Sequence, residues 1–125
     1  MEWNITAGQP VYRQLVEQLE LKLISGQYPP GSRIPAVREL AAEAGVNPNT
    51  MQRALQELES RGLLQAQRTA GRTVTADELA LAALRRERAA ALVDHTWREL
   101  RALGLQGDEI LQLIQQREEQ DATDL

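Results

Sequence analysis

Cysteine is absent from the 125-residue chain, which excludes disulfides, thiolate metal sites and a cysteine nucleophile and suits a reducing compartment. Phenylalanine is absent as well and aromatics make up only 3% of residues, so Leu, Ile, Val and Ala must supply nearly all of the core. The only histidine is His95, and a lone histidine cannot form a multi-histidine metal centre. No apolar run reaches the roughly 18 residues of a membrane span. Glu2 stands where a secretion signal would carry basic residues ahead of an apolar block. A phosphate-cradling glycine loop is missing, and no carboxylate pair is placed by spacing for acid/base work. The expectation is a cytoplasmic, non-enzymatic chain with no metal, no cofactor and no membrane association.

What is present is globular composition, 42% hydrophobic and 26% charged, in a length that fits one domain or a small domain with an appendage. The net charge of −4 is unevenly spread. Residues 1–75 hold eight basic and seven acidic side chains, net +1, whereas residues 76–125 hold six and eleven, net −5. Thirteen of the fourteen basic residues are Arg, Lys22 being the exception, and Arg is the side chain suited to planar, bidentate recognition of phosphate or guanine.

All five prolines lie within the first 48 residues, and neither Pro nor Gly occurs from Thr73 to Leu103, so two modules are expected: 1–75 and 76–125. In the first, Trp3 to Ile5 reads as a short strand. Gln9 and Pro10 open a helix closed by Gly26, with Tyr12, Leu15, Val16, Leu19 and Leu23 at helical spacing. Tyr28 to Ser32, containing Pro-Pro-Gly, is a turn. A second helix opens at Pro35 with Val37, Leu40, Ala41 and Ala44 inward, and ends at Gly45. Val46 is read as a buried plug, Asn47 as an N-cap, and Pro48 as the first residue of a third helix reaching about Arg61. Leu63 to Thr75 reads as a hairpin turning at Thr69, Ala70 and Gly71. Helix, helix, short Gly-containing turn, helix and hairpin is the order of a winged helix-turn-helix.

If Met51, Ala54, Leu55 and Leu58 face the core, about 100° per residue places Asn49, Arg53, Gln56 and Ser60 on the opposite side, with Gln52 on the flank. Amides and a guanidinium make paired hydrogen bonds to adenine and guanine edges in the major groove. Backbone N–H groups from Asn47 to Thr50 favour a phosphate at the helix start. Arg38 on the second helix and Arg68 and Arg72 on the hairpin would flank that helix. Each feature alone has a plainer reading: a solvated face, an ion pair of Arg38 with Glu39 or Glu43, an ordinary exposed hairpin. Their coincidence on one module points to double-stranded DNA.

The segments Pro30 to Ala41 (PGSRIPAVRELA) and Gly45 to Glu59 (GVNPNTMQRALQELE) resemble the GntR family of bacterial transcriptional regulators. The Asn-Pro-Asn-Thr stretch, the opening Pro-Val-Tyr-Arg-Gln and the short tail resemble its YtrA branch. The match covers residues 3 to 74 by motif and the tail by length and pattern. The resemblance implies a homodimer acting on an operator, commonly as a repressor, each recognition helix entering a major groove. It assigns DNA contacts to Arg38, Asn49, Thr50, Gln52 and Arg53, and the wing to Arg68 and Gly71. Three positions depart from the family pattern: Ala36 stands where Ser is usual, removing a cap or phosphate contact, Thr69 where Gly is common and Thr73 where an aromatic is common. Large effector-binding or aminotransferase domains of other branches do not fit in the remaining 50 residues.

The tail reads as two helices, about Asp77 to Leu103 and Asp108 to Glu119, capped at Thr75 or Asp77 and interrupted at Gly104. Val93, Trp97, Leu100 and Leu103 form an apolar stripe on the first, and Ile110, Leu113 and Ile114 on the second. Two helices cannot enclose a core, so this stripe is expected to meet a second copy. The fold class is therefore mainly α, a winged helix-turn-helix followed by a two-helix dimerisation tail. The function expected is sequence-specific transcriptional regulation, as a repressor at an inverted-repeat operator, with any small-molecule effector unidentified. The competing expectation is a winged-helix protein-interaction module that binds a partner through its acidic tail.

Overall fold

The computed structural model describes residues 3–68 and 71–124. Its elements run α1 Val11–Ile24, α2 Val37–Ala44, α3 Pro48–Ser60, β1 Leu64–Gln67, β2 Gly71–Val74, α4 Glu78–Ala102 and α5 Gly107–Asp124. This is the mainly helical winged-helix arrangement expected. Thr69 and Ala70 of the hairpin turn lie outside the described residues.

The core of the first unit follows from three amphipathic helices. Leu15, Leu19 and Leu23 of α1, Leu40 and Ala41 of α2, and Met51, Ala54, Leu55 and Leu58 of α3 are buried together, with Ile34, Leu63, Leu64 and Val74 closing the sheet side. Truncating a leucine here, such as Leu55→Ala, costs about 2–5 kcal/mol through lost burial and the cavity left behind. The α2–α3 turn depends on Gly45. Its φ of +70° ends α2 in the left-handed conformation, where a Cβ would be strained. Val46 is half-buried and packs against the core rather than being fully enclosed. Ala36, not Pro35, is the N-cap of α2, and it makes no side-chain cap bond.

Trp3 to Ile5 is not a strand. Its backbone groups are instead taken up by two glutamines one turn apart on α1. Asn4 N donates to Gln18 Oε1 (2.8 Å), and Gln18 Nε2 donates to the Asn4 carbonyl (2.6 Å). Thr6 N donates to Gln14 Oε1 (2.8 Å), while Gln14 Nε2 donates to the carbonyls of Thr6 and Gln9 (2.9 and 3.1 Å). A side-chain amide carries both donor and acceptor, so it pairs with a backbone unit as a neighbouring strand would. Trp3 is thereby brought over Lys22, whose Nζ lies 4.6 Å from the Trp3 ring centroid and 5.8 Å from that of Tyr28. Lys22 is only 2% exposed. Burial lowers its pKa, the Glu43 charge acting in the opposite sense, and burial with Glu43 raises that of Tyr28.

The hairpin pairs β1 and β2 antiparallel, Leu64 with Val74 through Gln67 with Gly71. A third extended segment, read from the sequence as part of a turn, runs along the other edge of β2: Gly31 N donates to the Val74 carbonyl (3.0 Å), Val74 N to that of Ser32 (2.8 Å) and Ile34 N to that of Arg72 (3.0 Å). The hairpin is thus tied to the residues that lead into α2.

The chain divides into two compact units, 1–85 and 86–125, so the border lies inside α4 rather than at the expected 75/76. The start of α4 belongs to the first unit because Leu81 is buried in its core, Leu84 packs against it, and Arg85 Nε and Nη2 donate to the Ile24 carbonyl (2.9 and 2.6 Å). Asp77 caps α4, its Oδ1 accepting from Leu79 N and Ala80 N (3.1 and 3.2 Å), and Thr75 Oγ1 in turn accepts from Asp77 N (3.2 Å).

In the second unit the rest of α4 turns back through Gly104 into α5. Glu109 Oε1 accepts from Gln106 N (2.9 Å), the reciprocal half of a capping box. Trp97 packs closely on Gly107, where a Cβ would stand 3.2 Å from Trp97 Cη2. No helix among the described residues is long and apolar enough to cross a membrane.

Candidate nucleic-acid interface

The third helix has a fully capped start. Asn47 Oδ1 accepts from Asn49 N (2.8 Å), and Pro48 occupies the first helical position, where no N–H is needed. The side chain of Asn47, expected among the DNA contacts, therefore spends its oxygen on capping the helix. Asn49, Arg53, Gln56 and Ser60 are exposed, Thr50 and Gln52 half-exposed, and the four inward residues fully buried. The face assignment made from helical spacing is thus the one observed.

Arg53 does not extend freely into solvent. Its guanidinium carbon lies 4.1 Å from the centroid of the Tyr12 ring, which belongs to the start of α1 and is itself packed against the core. Cation–π attraction of this kind holds the guanidinium plane while leaving its N–H edges available. Helical spacing had marked Tyr12 only as a core residue. Nothing in the sequence links it to Arg53, because the pairing depends on how α1 packs against α3.

Arg38 is exposed on α2 and makes no ion pair among the described residues, so the alternative pairing with Glu39 or Glu43 is not formed. Glu43 instead accepts from Trp3 Nε1 (3.5 Å). On the hairpin the two arginines differ. Arg68, at the end of β1, is exposed and without an ion pair among the described residues. Arg72 is turned inward, its Nε donating to Glu59 at the end of α3, and its side chain is only 15% exposed. Opposite Gly71, Gln67 Nε2 donates to Thr73 Oγ1 (2.9 Å). Arg61 is likewise committed to structure, reaching Glu20 of α1 and Glu57 of α3. Burial opposes its charge, but the two carboxylates outweigh burial and raise its pKa.

The tail residues expected at a dimer contact are only partly brought together. Val93, Trp97, Leu100, Ile110 and Ile114 line one open apolar groove with Leu92 and Thr96. Ile110 is its floor, 1% exposed, and Trp97 is 37% exposed. Leu113 faces a separate, more polar depression with Leu105, Glu109, Gln112 and Gln116. Leu103 lines neither and stands exposed beside Gly104. Leu92, exposed on the groove wall, was not among the expected residues. His95 pairs with Glu99 (3.3 Å) on the solvent side of α4.

A capped third helix with a polar outward face, set after a Gly-containing turn and followed by a hairpin, is the arrangement of a winged helix-turn-helix DNA-binding module. The model of the bacterial regulatory proteins of the gntR family matches residues 11–74, and the chain belongs to that family. Its members are transcription regulators, not enzymes. Over 114 residues the chain is 28% identical to the HTH-type transcriptional regulator YhcF of Bacillus subtilis, covering 91% of this chain and 94% of YhcF. It is 37% identical over 65 residues to the HTH-type transcriptional repressor YtrA of Bacillus subtilis, covering 52% and 50% of the two chains. A GntR family transcriptional regulator from Listeria monocytogenes superposes with a TM-score of 0.82 at 29% identity, over 90% of this chain and 98% of that one. The likeness extends to chains of this length, tail included.

Proposed function

We propose that this GntR-family DNA-binding regulator is a cytoplasmic repressor that binds an inverted-repeat operator as a homodimer. The observation that carries the reading is the α3 face. Asn49, Arg53 and Gln56 point outward from a helix whose other side is fully buried and whose N-terminus is capped and open. Asn49, Thr50, Gln52, Arg53 and Gln56 read base edges in the major groove, and the helix N-terminus at Asn47 together with Arg38 takes the backbone or an adjacent base. Arg68 supplies the wing's contact beside Gly71, whereas Arg72 acts through Glu59 to hold the wing against α3. The repressor assignment rests on the likeness to the transcriptional repressor YtrA of Bacillus subtilis.

The tail of each protomer covers that of the other. Its apolar groove, open to solvent in one chain, is what a two-fold contact would bury, and the −5 charge of residues 76–125 keeps this surface off DNA.

Selection of genomic fragments with the purified chain, followed by footprinting, tests the proposal. Two symmetric half-sites are expected, their centres about 10 base pairs or a multiple apart, or closer for a winged helix. Protection of one asymmetric half-site at saturation refutes it. On the selected operator, Arg68→Ala is expected to weaken specific and random binding alike and to reduce the salt slope by about 0.9 per lost phosphate contact. Gln52→Ala or Arg53→Ala is expected to lose preference at particular base pairs.

A further inference from the structure

We infer that Tyr12, on the first helix, is a positioning residue for base reading: it stacks Arg53 and so fixes the direction in which that guanidinium enters the groove. The inference rests on the proposed reading of α3 as the recognition helix.

Arg53 sits on the exposed side of α3, so its long side chain would ordinarily sample many rotamers and lose that freedom on binding. Its guanidinium carbon instead lies 4.1 Å from the Tyr12 centroid, and it makes no hydrogen bond or ion pair among the described residues. Tyr12 is itself held, half-buried against the core of Leu15, Leu19 and their neighbours. The ring is therefore a fixed platform with the guanidinium held over its face. A ring face neutralises no N–H donor, so stacking orders the group without consuming the fork that pairs with guanine O6 and N7. Arg61 takes Glu57 and Glu20, and Arg72 takes Glu59, leaving Arg53 to the ring alone. A recognition-helix arginine is preorganised in this way by a residue outside the helix-turn-helix.

The test is a double-mutant cycle on the full chain. Its probes are a duplex carrying the selected operator and a random duplex of the same length. Tyr12→Leu is expected to lower operator affinity about two- to fivefold, the range of an exposed cation–π contact, with random-duplex affinity unchanged. Tyr12→Phe, which keeps the ring, is expected to bind as the parent does. Tyr12→Leu is expected to add nothing once Arg53→Ala is present. A ring-current upfield shift of the Arg53 δ protons, retained in Tyr12→Phe and lost in Tyr12→Leu, reports the stacking without DNA. If the two substitutions act multiplicatively, if Tyr12→Phe is as damaging as Tyr12→Leu, or if the ring-current shift is absent, the positioning role is overturned while the recognition helix stands. If Arg53→Ala itself leaves operator preference intact, the reading of Arg53 falls, and the role of Tyr12 falls with it.

Discussion

Arg85 of α4 closes the end of α1: its Nε and Nη2 both donate to the Ile24 carbonyl, at 2.9 and 2.6 Å. The last carbonyls of a helix lack partners within it, and a cation there also meets the negative end of the helix dipole. This contact, with Leu81 behind it, makes the start of α4 part of the DNA-binding unit. Arg85→Ala is expected to destabilise that unit by about 1.5–3 kcal/mol, the range for hydrogen bonds to a charged donor. Arg85→Lys, a point charge that cannot donate as a fork, is expected to recover only part of it. Denaturant unfolding of the three proteins decides this; equal stability of all three refutes it.

Ala36 occupies the N-cap of α2 with extended φ and ψ of −64° and 154° and no side-chain bond to the helix. Ser at such a position accepts from an unpaired N–H two or three residues on, which contributes about 0.5–2 kcal/mol. Ala36→Ser is therefore expected to stabilise the chain by that amount and to raise its thermal midpoint, without moving α2. A lower midpoint in calorimetry counts against the cap geometry.

Stability at alkaline pH separates two groups that share the neighbourhood of Glu43. Tyr28 has a raised pKa through burial and then Glu43. The folded state thus keeps a proton that the unfolded state releases above about pH 10, and stability falls as pH rises through that window. Lys22 has a lowered pKa through burial, so its contribution has the opposite sign and improves as pH rises toward the ordinary lysine value. Tyr28→Phe is expected to gain stability relative to the parent between pH 9 and about pH 11. Lys22→Met is expected to lose relative ground over the same range. Unfolding midpoints measured across that range check both signs; parallel curves for all three proteins would refute the pair.

Removal of the tail must respect the border within α4. A cut after Thr75 removes Leu81, Leu84 and Arg85, which belong to the first unit, and is expected to destabilise it. A cut after Arg88 keeps them and takes away Trp97, Ile110 and Ile114 of the groove. This shorter chain is expected to be folded and monomeric, and to lose about 100-fold or more in operator affinity as linked half-sites become independent. Trp97→Ala is expected to do part of the same. Sedimentation and operator titration read the result, and a truncated chain that remains dimeric shows that the tail does not pair the protomers.

Local rules were enough for most of the backbone. Pro48 after Asn47, Gly45 after Ala44 and the spacing of Met51, Ala54, Leu55 and Leu58 determine where α3 begins and which side it buries, because caps and helical periodicity act over a few residues. The exposed set Asn49, Arg53 and Gln56 follows as the complement of that buried side. The family motifs likewise lie in short contiguous stretches, so the chain's class is legible without coordinates. Tertiary structure decided what each polar side chain is occupied with. Arg68 and Arg72 look alike in sequence, yet only Arg72 meets Glu59. Gln14 and Gln18 fall between the apolar positions of α1, yet their amides stand in for a strand beside Asn4 and Thr6. Tyr12 and Arg53, and Arg85 and Ile24, meet only after helices distant in sequence have packed. An arginine can serve a carboxylate, a carbonyl, a ring or a phosphate, so which of them it meets is set by what the fold brings within reach.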